Sequence, residues 1–595
     1  TFFQMQSSVN YEVDYTVLSS YVIEDINLYP YQGEAVINKN KEPFIQNLDF
    51  YNSDTNFPFA NISVSDPMIM RDIEVSLITL IPFKYNPAAR SLTVYTEVEI
   101  NITESGTRHS NLNTPSQRSK LFEPFYEQLI VDYEPLNSRD SYQPSSIMYI
   151  CGGNSASHPY VQELVEWRKK QGYIVYVVPT SETGTSSNSI KSFLQDVITS
   201  YDTPPEIVGL IGDTGGTYSI PNFTYSGGAT DVEYSYLEGD DFLPEVFIGR
   251  ISVTSSSELG NVINKTLTYE KAESQEDWWY ERAALVGDPS SSGVSTITTM
   301  KYIANIMENF GMDDMRTNYG NGNYNNWVEN QFDEGILYYN YRGYIGSSGI
   351  QQNGTDSGIY TPFVGSLTCS TGDFNGTSES ESWIRQGSVS NPKGAVAAVG
   401  VATSSTHTAY NNIVHMGIYE GIFSNGMYHA GAALANGKLA LLRTYPNNPY
   451  QAVSKFSAWP NLMGDPALHL WTRKPNDFII DSPDALPQGT QNIQVTITDE
   501  NGNTVEDARV TLVLAGEYFY GYTDQSGQAI VTWNSQSNGE AFITAFKNDF
   551  RLAEKPIQIG QVSGSALYVN QTQTMIDDTL HGDGNLKANP GEQFT

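Results

Sequence analysis

Apolar and polar positions change rhythm three times along the chain. From residue 1 to about 118 the pattern is that of strands. Ser91–Ile100 (SLTVYTEVEI) alternates apolar and polar side chains, the period of a half-buried strand, and Asn86-Pro87 marks a turn before it. No helix-period stretch stands out in this block. A Ser-, Thr-, Asn- and Arg-rich tract, 103–120, reads as an exposed linker of the kind proteases nick. From about 119 to 473 short apolar runs recur, at 147–150, 174–178, 207–211, 283–286, 336–339 and 395–399. Helix-period segments lie between several of them, at 160–167, 189–201 and 296–310. Buried strands alternating with helices predict parallel sheet covered on both faces, in two units split near residue 283. Beyond 474 short alternating strands return, at 493–498, 508–514, 520–522 and 529–533, separated by Asn-Gly and Ser-Gly turns. They predict a small β-sandwich, immunoglobulin-like in architecture without a Cys-Trp-Cys pattern.

The expected domains are therefore 1–118 (β-rich), 119–283 and 284–473 (two α/β subdomains), 474–562 (β-sandwich) and 563–595 (the start of a further module or a linker). The total of 595 residues suits such a multidomain chain. Acidic residues number 67 against 32 basic ones, a formal net charge of −35, which disfavours nucleic acid or an anionic membrane as the main partner. Aromatics at 12% separate the chain from disordered acidic sequences. Two cysteines, Cys151 and Cys369, cannot make a disulfide framework or a four-thiolate zinc site. No apolar run approaches the length of a transmembrane helix. The first residues lack a basic region followed by an apolar run, so a secretory signal is expected to be absent or already removed. The last residues, Asn589–Thr595, read as the opening of a new segment.

Ligands of parallel α/β sheets gather beyond the carboxyl ends of strands. Three such ends carry chemistry here: the Gly-rich turn 339–349, the run 363–374 leading through Cys369 into Gly372-Asp373, and 399–408 leading into His407. A thiolate is a strong nucleophile but a free thiol is mostly protonated at neutral pH, so a histidine that takes the proton would activate it. Cys369 and His407 form a candidate nucleophile–base pair. Cys151, before Gly152-Gly153, reads mainly as packing.

These stretches resemble the gingipain-type cysteine peptidases. The resemblance rests on Gly209–Asp213 (GLIGD), Leu243–Arg250 (LPEVFIGR), Asn340–Gly343 (NYRG), Cys369–Phe374 (CSTGDF) and Leu462–Pro466 (LMGDP), in order over some 260 residues. It implies a β-rich prodomain, a caspase-like α/β catalytic unit in two subdomains and a C-terminal immunoglobulin-like β-sandwich. It also implies a secreted or cell-surface endopeptidase made as a zymogen, often exported by type IX secretion, acting on protein or peptide substrates. The family's nucleophile maps onto Cys369 and its histidine-orienting carboxylate onto Glu245. The turn that carries the family's histidine reads Gly343-Tyr344-Ile345-Gly346 here. Tyr344 is a phenol and a poor base at neutral pH. The base is then expected at His407, with His415 a weaker candidate, and backbone N–H groups of Gly343, Tyr344 and Cys369 are expected to form the oxyanion hole. The alternative is a catalytically inactive surface protein, an adhesin or filament component, that keeps the fold.

Acidic residues Asp231, Glu233, Glu238, Asp240 and Asp241 crowd one Gly-containing stretch. Hard oxygen ligands suit Ca²⁺, and the resemblance implies structural calcium, expected at Asp231, Glu233, Asp240 and Asp241. A weaker acidic loop lies at Asp577–Glu592.

Overall fold

The computed structural model describes residues 1–6, 8–30, 32, 43–108, 117–136, 142–272, 276–320, 324–344, 359–404, 406–489 and 491–560. The middle of the polar linker and the acidic loop at 577–592 lie outside these.

Among the described residues the amino-terminal block is β-stranded apart from one short helix, Leu48–Tyr51. Strand Ser91–Thr107 pairs antiparallel with Val9–Ile23 and, across the Pro87 turn, with Phe83–Asn86. Phe2–Met5, Ile62–Val64 and Met68–Met70 pair with Ile73–Leu80.

The two α/β halves join into one ten-stranded sheet. Its strands are β1 (Ser146–Cys151), β2 (Ile174–Pro179), β3 (Ile207–Ile211), β4 (Phe247–Ile251), β5 (Arg282–Gly287), β6 (Asp314–Asn318), β7 (Tyr338–Arg342), β8 (Phe363–Ser366), β9 (Ala397–Val401) and β10 (Pro460–Met463). Their spatial order is β6-β5-β7-β8-β9-β10-β4-β3-β1-β2. Every neighbouring pair is parallel except β9–β10. Most of the apolar runs are strands because both faces are covered. β1, β3, β4, β7, β8, β9 and β10 are buried along their whole length. The predicted helices form at Pro159–Lys170, Ser187–Ser200 and Ser295–Phe310.

The single reversal sets the geometry of the site. β10 runs with β4 and against β9, so the carboxyl ends of β5, β7, β8 and β9 share an edge with the amino ends of β1, β3 and β4.

Residues 478–559 form two sheets, of three and five strands, around their own core, which includes Ile493, Val510, Val531, Trp533 and Ile543. Arg509 fixes this sandwich to the large sheet by donating to Gln171 O (3.1 Å) and Ser145 Oγ (2.6 Å).

Candidate active site

Three adjacent strands deliver the site. Tyr341, Ser366 and Gly400 stand in register on β7, β8 and β9, so the loops that follow leave the same edge side by side. The Cys369 turn is strapped to the end of β9: Ser370 N donates to Thr403 O (3.0 Å) and Gly372 N to Val401 O (3.0 Å). Thr371 Oγ1 donates back to Ser366 O (2.6 Å) and receives Val401 N (3.1 Å). Ser370 takes a left-handed φ of 56°. At Gly372 a Cβ would stand 2.5 Å from the Gly400 carbonyl carbon, so only glycine fits there. On the other side Thr368 Oγ1 donates to the carbonyls of Gly343 (2.8 Å) and Tyr344 (3.1 Å), which pins the 343–344 turn beside the cysteine.

Cys369 is partly exposed. Its Sγ lies 3.1 Å from Thr406 Oγ1, its one hydrogen-bond partner among the described residues. The His407 loop is therefore beside the sulfur, as the adjacency of β8 and β9 requires. The imidazole itself caps helix Thr408–Ser424, with Nδ1 accepting from Ala409 N (3.2 Å), and packs on Tyr410. A neutral ring that accepts at Nδ1 carries its proton on Nε2. His415 is fully buried under the sheet, with Nε2 2.7 Å from Asn340 Oδ1, and burial first, then Arg342, holds it neutral.

Glu245 does not orient a histidine here. It precedes β4, three strands from β8, a lateral separation of about 14 Å at the usual strand spacing. Its Oε2 accepts the N–H groups of Leu237 (2.6 Å) and Glu238 (3.1 Å), and burial drives its pKa well up. The carboxylate at the 343–344 turn is Asp288, at the end of β5. Its N donates to Arg342 O (2.8 Å), and Tyr324 and Tyr341 hydroxyls stand 3.4 Å from its oxygens. A Cβ on Gly343 would meet the Asp288 Cβ at 2.9 Å. In the sequence Gly287-Asp288-Pro289 reads as a plain turn, and only the β5–β7 pairing brings it to the site.

Arg342 was also hidden in the sequence, as one letter of a turn. It is 1% exposed and holds three elements together. Its Nε donates to Asn412 Oδ1 (2.8 Å), Nη2 to Thr408 O (3.2 Å) and Nη1 to Leu367 O, two residues before Cys369.

The expected calcium ligands do not converge. Asp231 spends both oxygens on Arg250 (2.7 and 2.8 Å), and Glu233 pairs with Lys191 (2.9 Å). Asp241 accepts Ile69 N (2.9 Å) and Leu243 N (2.8 Å), and burial pushes its carboxyl up to about 6. Asp240 is exposed. Among the described residues no group of three or more His, Cys, Asp or Glu side chains could hold a metal ion, so these residues do not fit calcium.

Cys151 is buried at the end of β1, and burial pushes its thiol up to about 12, which leaves it inert beside Cys369.

Known proteins match this arrangement. The model of Peptidase family C25 matches residues 140–471 and that of Propeptide_C25 matches 8–139. Gingipain R2 of Porphyromonas gingivalis is 24% identical over 560 residues, covering 89% of this chain and 73% of its own length. Lys-gingipain of the same organism is 28% identical over 237 residues, 37% of this chain and 13% of its own. The crystal structure of the Arg-specific cysteine proteinase gingipain R superposes with a TM-score of 0.62 at 21% identity, covering 72% of this chain and all of that one. A complex of gingipain pro- and mature domains from P. gingivalis gives 0.62 at 22%, covering 69% and 99%.

Proposed function

Since the chain belongs to peptidase family C25, the gingipain-type cysteine peptidases, we propose that it is the zymogen of a secreted or cell-surface endopeptidase that cleaves peptide bonds through the Cys369 thiolate. One observation carries this: β7, β8 and β9 bring the 343–344 turn, Cys369 and the His407 loop to one edge in register. The thiolate attacks the scissile carbonyl, and N–H groups of Gly343, Tyr344 and Cys369 receive the oxyanion. The tetrahedral adduct collapses to a thioester as protonated His407 gives the leaving amine its proton. Water then attacks the thioester, giving a proton to the now neutral His407, and the adduct collapses to the free acid and the Cys369 thiolate. For that step His407 must turn off its cap on Ala409. The match of residues 8–139 to the C25 propeptide supports reading the capped ring as the resting position of a precursor.

The test is hydrolysis of an unfolded protein substrate by the full chain after limited proteolysis in the 103–120 tract. Activity is expected, is abolished by Cys369→Ala and falls at least ~100-fold in His407→Ala. The second reading, an inactive surface protein that keeps the fold, draws on the contact of Sγ with Thr406 rather than with an imidazole. It is supported if no hydrolysis is seen between pH 5 and 9.

A further inference from the structure

Two buried carboxyls meet across the boundary between the amino-terminal block and the catalytic unit. Asp72, just before strand Ile73–Leu80, is 6% exposed, and Glu206, just before β3, is fully buried. Ser119 joins them: its N–H donates to Asp72 Oδ2 (2.5 Å) and its hydroxyl bonds to Glu206 Oε1. Ser146 N donates to the other Glu206 oxygen (3.1 Å). The Tyr126 hydroxyl lies between Asp72 Oδ1 and Met70 O (3.2 Å) and can donate to only one of them. Donation to Met70 leaves its oxygen to accept the proton of a neutral Asp72. Among the described residues neither carboxyl sits in an ion pair. The cations that face them spend hydrogen bonds on neutral oxygens. Arg71 donates to the carbonyls of Pro204, Pro205 and Glu245 and to Gln143 Oε1 (3.2 Å). Arg118 donates to the Tyr133 hydroxyl (2.8 Å), and Arg509 comes from the sandwich to Gln171 O and Ser145 Oγ. Glu123 adds negative charge beside Asp72, and the Tyr173 phenol stands near Glu206. An ionised carboxyl taken out of water without a counter-charge in contact is costly, so such a site favours the neutral acid. Burial, against the pull of the arginines, holds both groups above the ordinary carboxylate range.

We propose that the Asp72–Ser119–Glu206 bridge is a proton-held latch, which keeps the amino-terminal block docked on the catalytic unit at acid pH and lets it go as the pH rises. The inference deepens the precursor reading and rests on it for its meaning. Docked, each carboxyl keeps its proton. Separation parts Asp72 and Arg71 from Glu206, water reaches the bridge, and the acids ionise near their ordinary values of about 3.9 and 4.3. Docking is therefore fully supported below those values and is lost as the pH climbs through the raised, docked ones. Each carboxyl weakens it by up to about tenfold per pH unit in that window.

The experiment follows release of the amino-terminal fragment from the full chain carrying Cys369→Ala, nicked by limited proteolysis in the 103–120 tract. Release is timed by size-exclusion chromatography after dilution at pH 4.5 and at pH 8.5, with urea raised equally at both until it is seen. It is expected to be at least about tenfold faster at pH 8.5. Asp72→Asn combined with Glu206→Gln keeps both groups neutral at every pH. That variant is expected to release slowly at pH 8.5, with its two rates within about threefold of each other. Equal rates in the parent, or faster release at pH 4.5, overturn the proposal whether or not any variant folds. So does a double variant that keeps its circular dichroism and the parent's tenfold difference. Release reads docking without catalysis. A pH-dependent release, in a protein whose form with Cys369 intact hydrolyses nothing, would overturn the peptidase reading and leave the latch standing. Hydrolysis with pH-independent release would do the reverse.

Discussion

At the scale of single residues the site depends on a few positions with no tolerance. Gly372 meets the backbone of Gly400, so Gly372→Ala must push β9 away from the cysteine turn. The expected loss is about 1–3 kcal/mol of stability, read from the urea midpoint, together with faster alkylation of a loosened Cys369. Arg168 is fully buried and bridges Glu270 (2.6 Å) and Asp465 (2.9 Å), and Tyr149 donates to the same Asp465 (2.8 Å). Arg168→Met leaves two buried carboxylates uncompensated, which is expected to cost about 3–5 kcal/mol, measured as a fall in the first thermal transition. This network also gives the Gly464-Asp465-Pro466 motif a structural role, since Asp465 ties β1 and helix Pro159–Lys170 to the end of β10.

At the scale of elements, the sandwich meets the catalytic unit through neutral imidazoles. Tyr173 OH stands 2.7 Å from His429 Nε2, and His469 Nδ1 stands 2.7 Å from Asn548 Oδ1. Phe546 packs on His469, and Arg168 and Arg509 supply nearby positive charge. Burial, helped by these charges, holds His429 well below its ordinary value and His469 down at about 3. Unfolded histidine takes its proton near 6.5. The stability gained by keeping the rings neutral is therefore fully present above 6.5 and is lost as pH falls toward the folded values. Each ring is expected to contribute a slope of about 1.4 kcal/mol per pH unit below 6.5. His469→Gln should flatten the acid side of the melting-temperature profile. The elements themselves were largely legible. The runs at 147–150, 174–178, 207–211, 283–286 and 395–399 stand out because parallel strands with helices on both faces must be continuously apolar. β10 was not legible: Pro460–Met463 is short, and its place depends on partners about 60 and more than 200 residues away. The resemblance mapped the carboxylate onto Glu245, which the fold sets three strands from β8, whereas Asp288 stands at the 343–344 turn because β5 pairs with β7. Cys369 and the loop of His407 were legible because each follows its strand directly.

At the scale of the whole molecule one buried side chain makes several of the hydrogen bonds that tie the amino-terminal block to the catalytic unit, beside others such as Ile69 N to Asp241. Arg71, at a left-handed φ of 55°, donates to the carbonyls of Pro204 (3.0 Å), Pro205 (2.9 Å) and Glu245 (2.6 Å). Phe122, in the segment matched by the propeptide model, stacks on Phe247 at 4.3 Å. Arg71→Ala is expected to cost about 2–4 kcal/mol of docking free energy. After a cut in the 103–120 tract the two fragments should co-elute in the parent and separate in the variant. The reversal between β9 and β10 has a consequence for biogenesis. β10 lies between β9 and β4 and welds the halves, yet it is the last of the ten strands to be made. During synthesis the ribosome must release residue 463 before the central seam can close, and until then both half-sheets expose an inner edge that a chaperone or an export machine could grip.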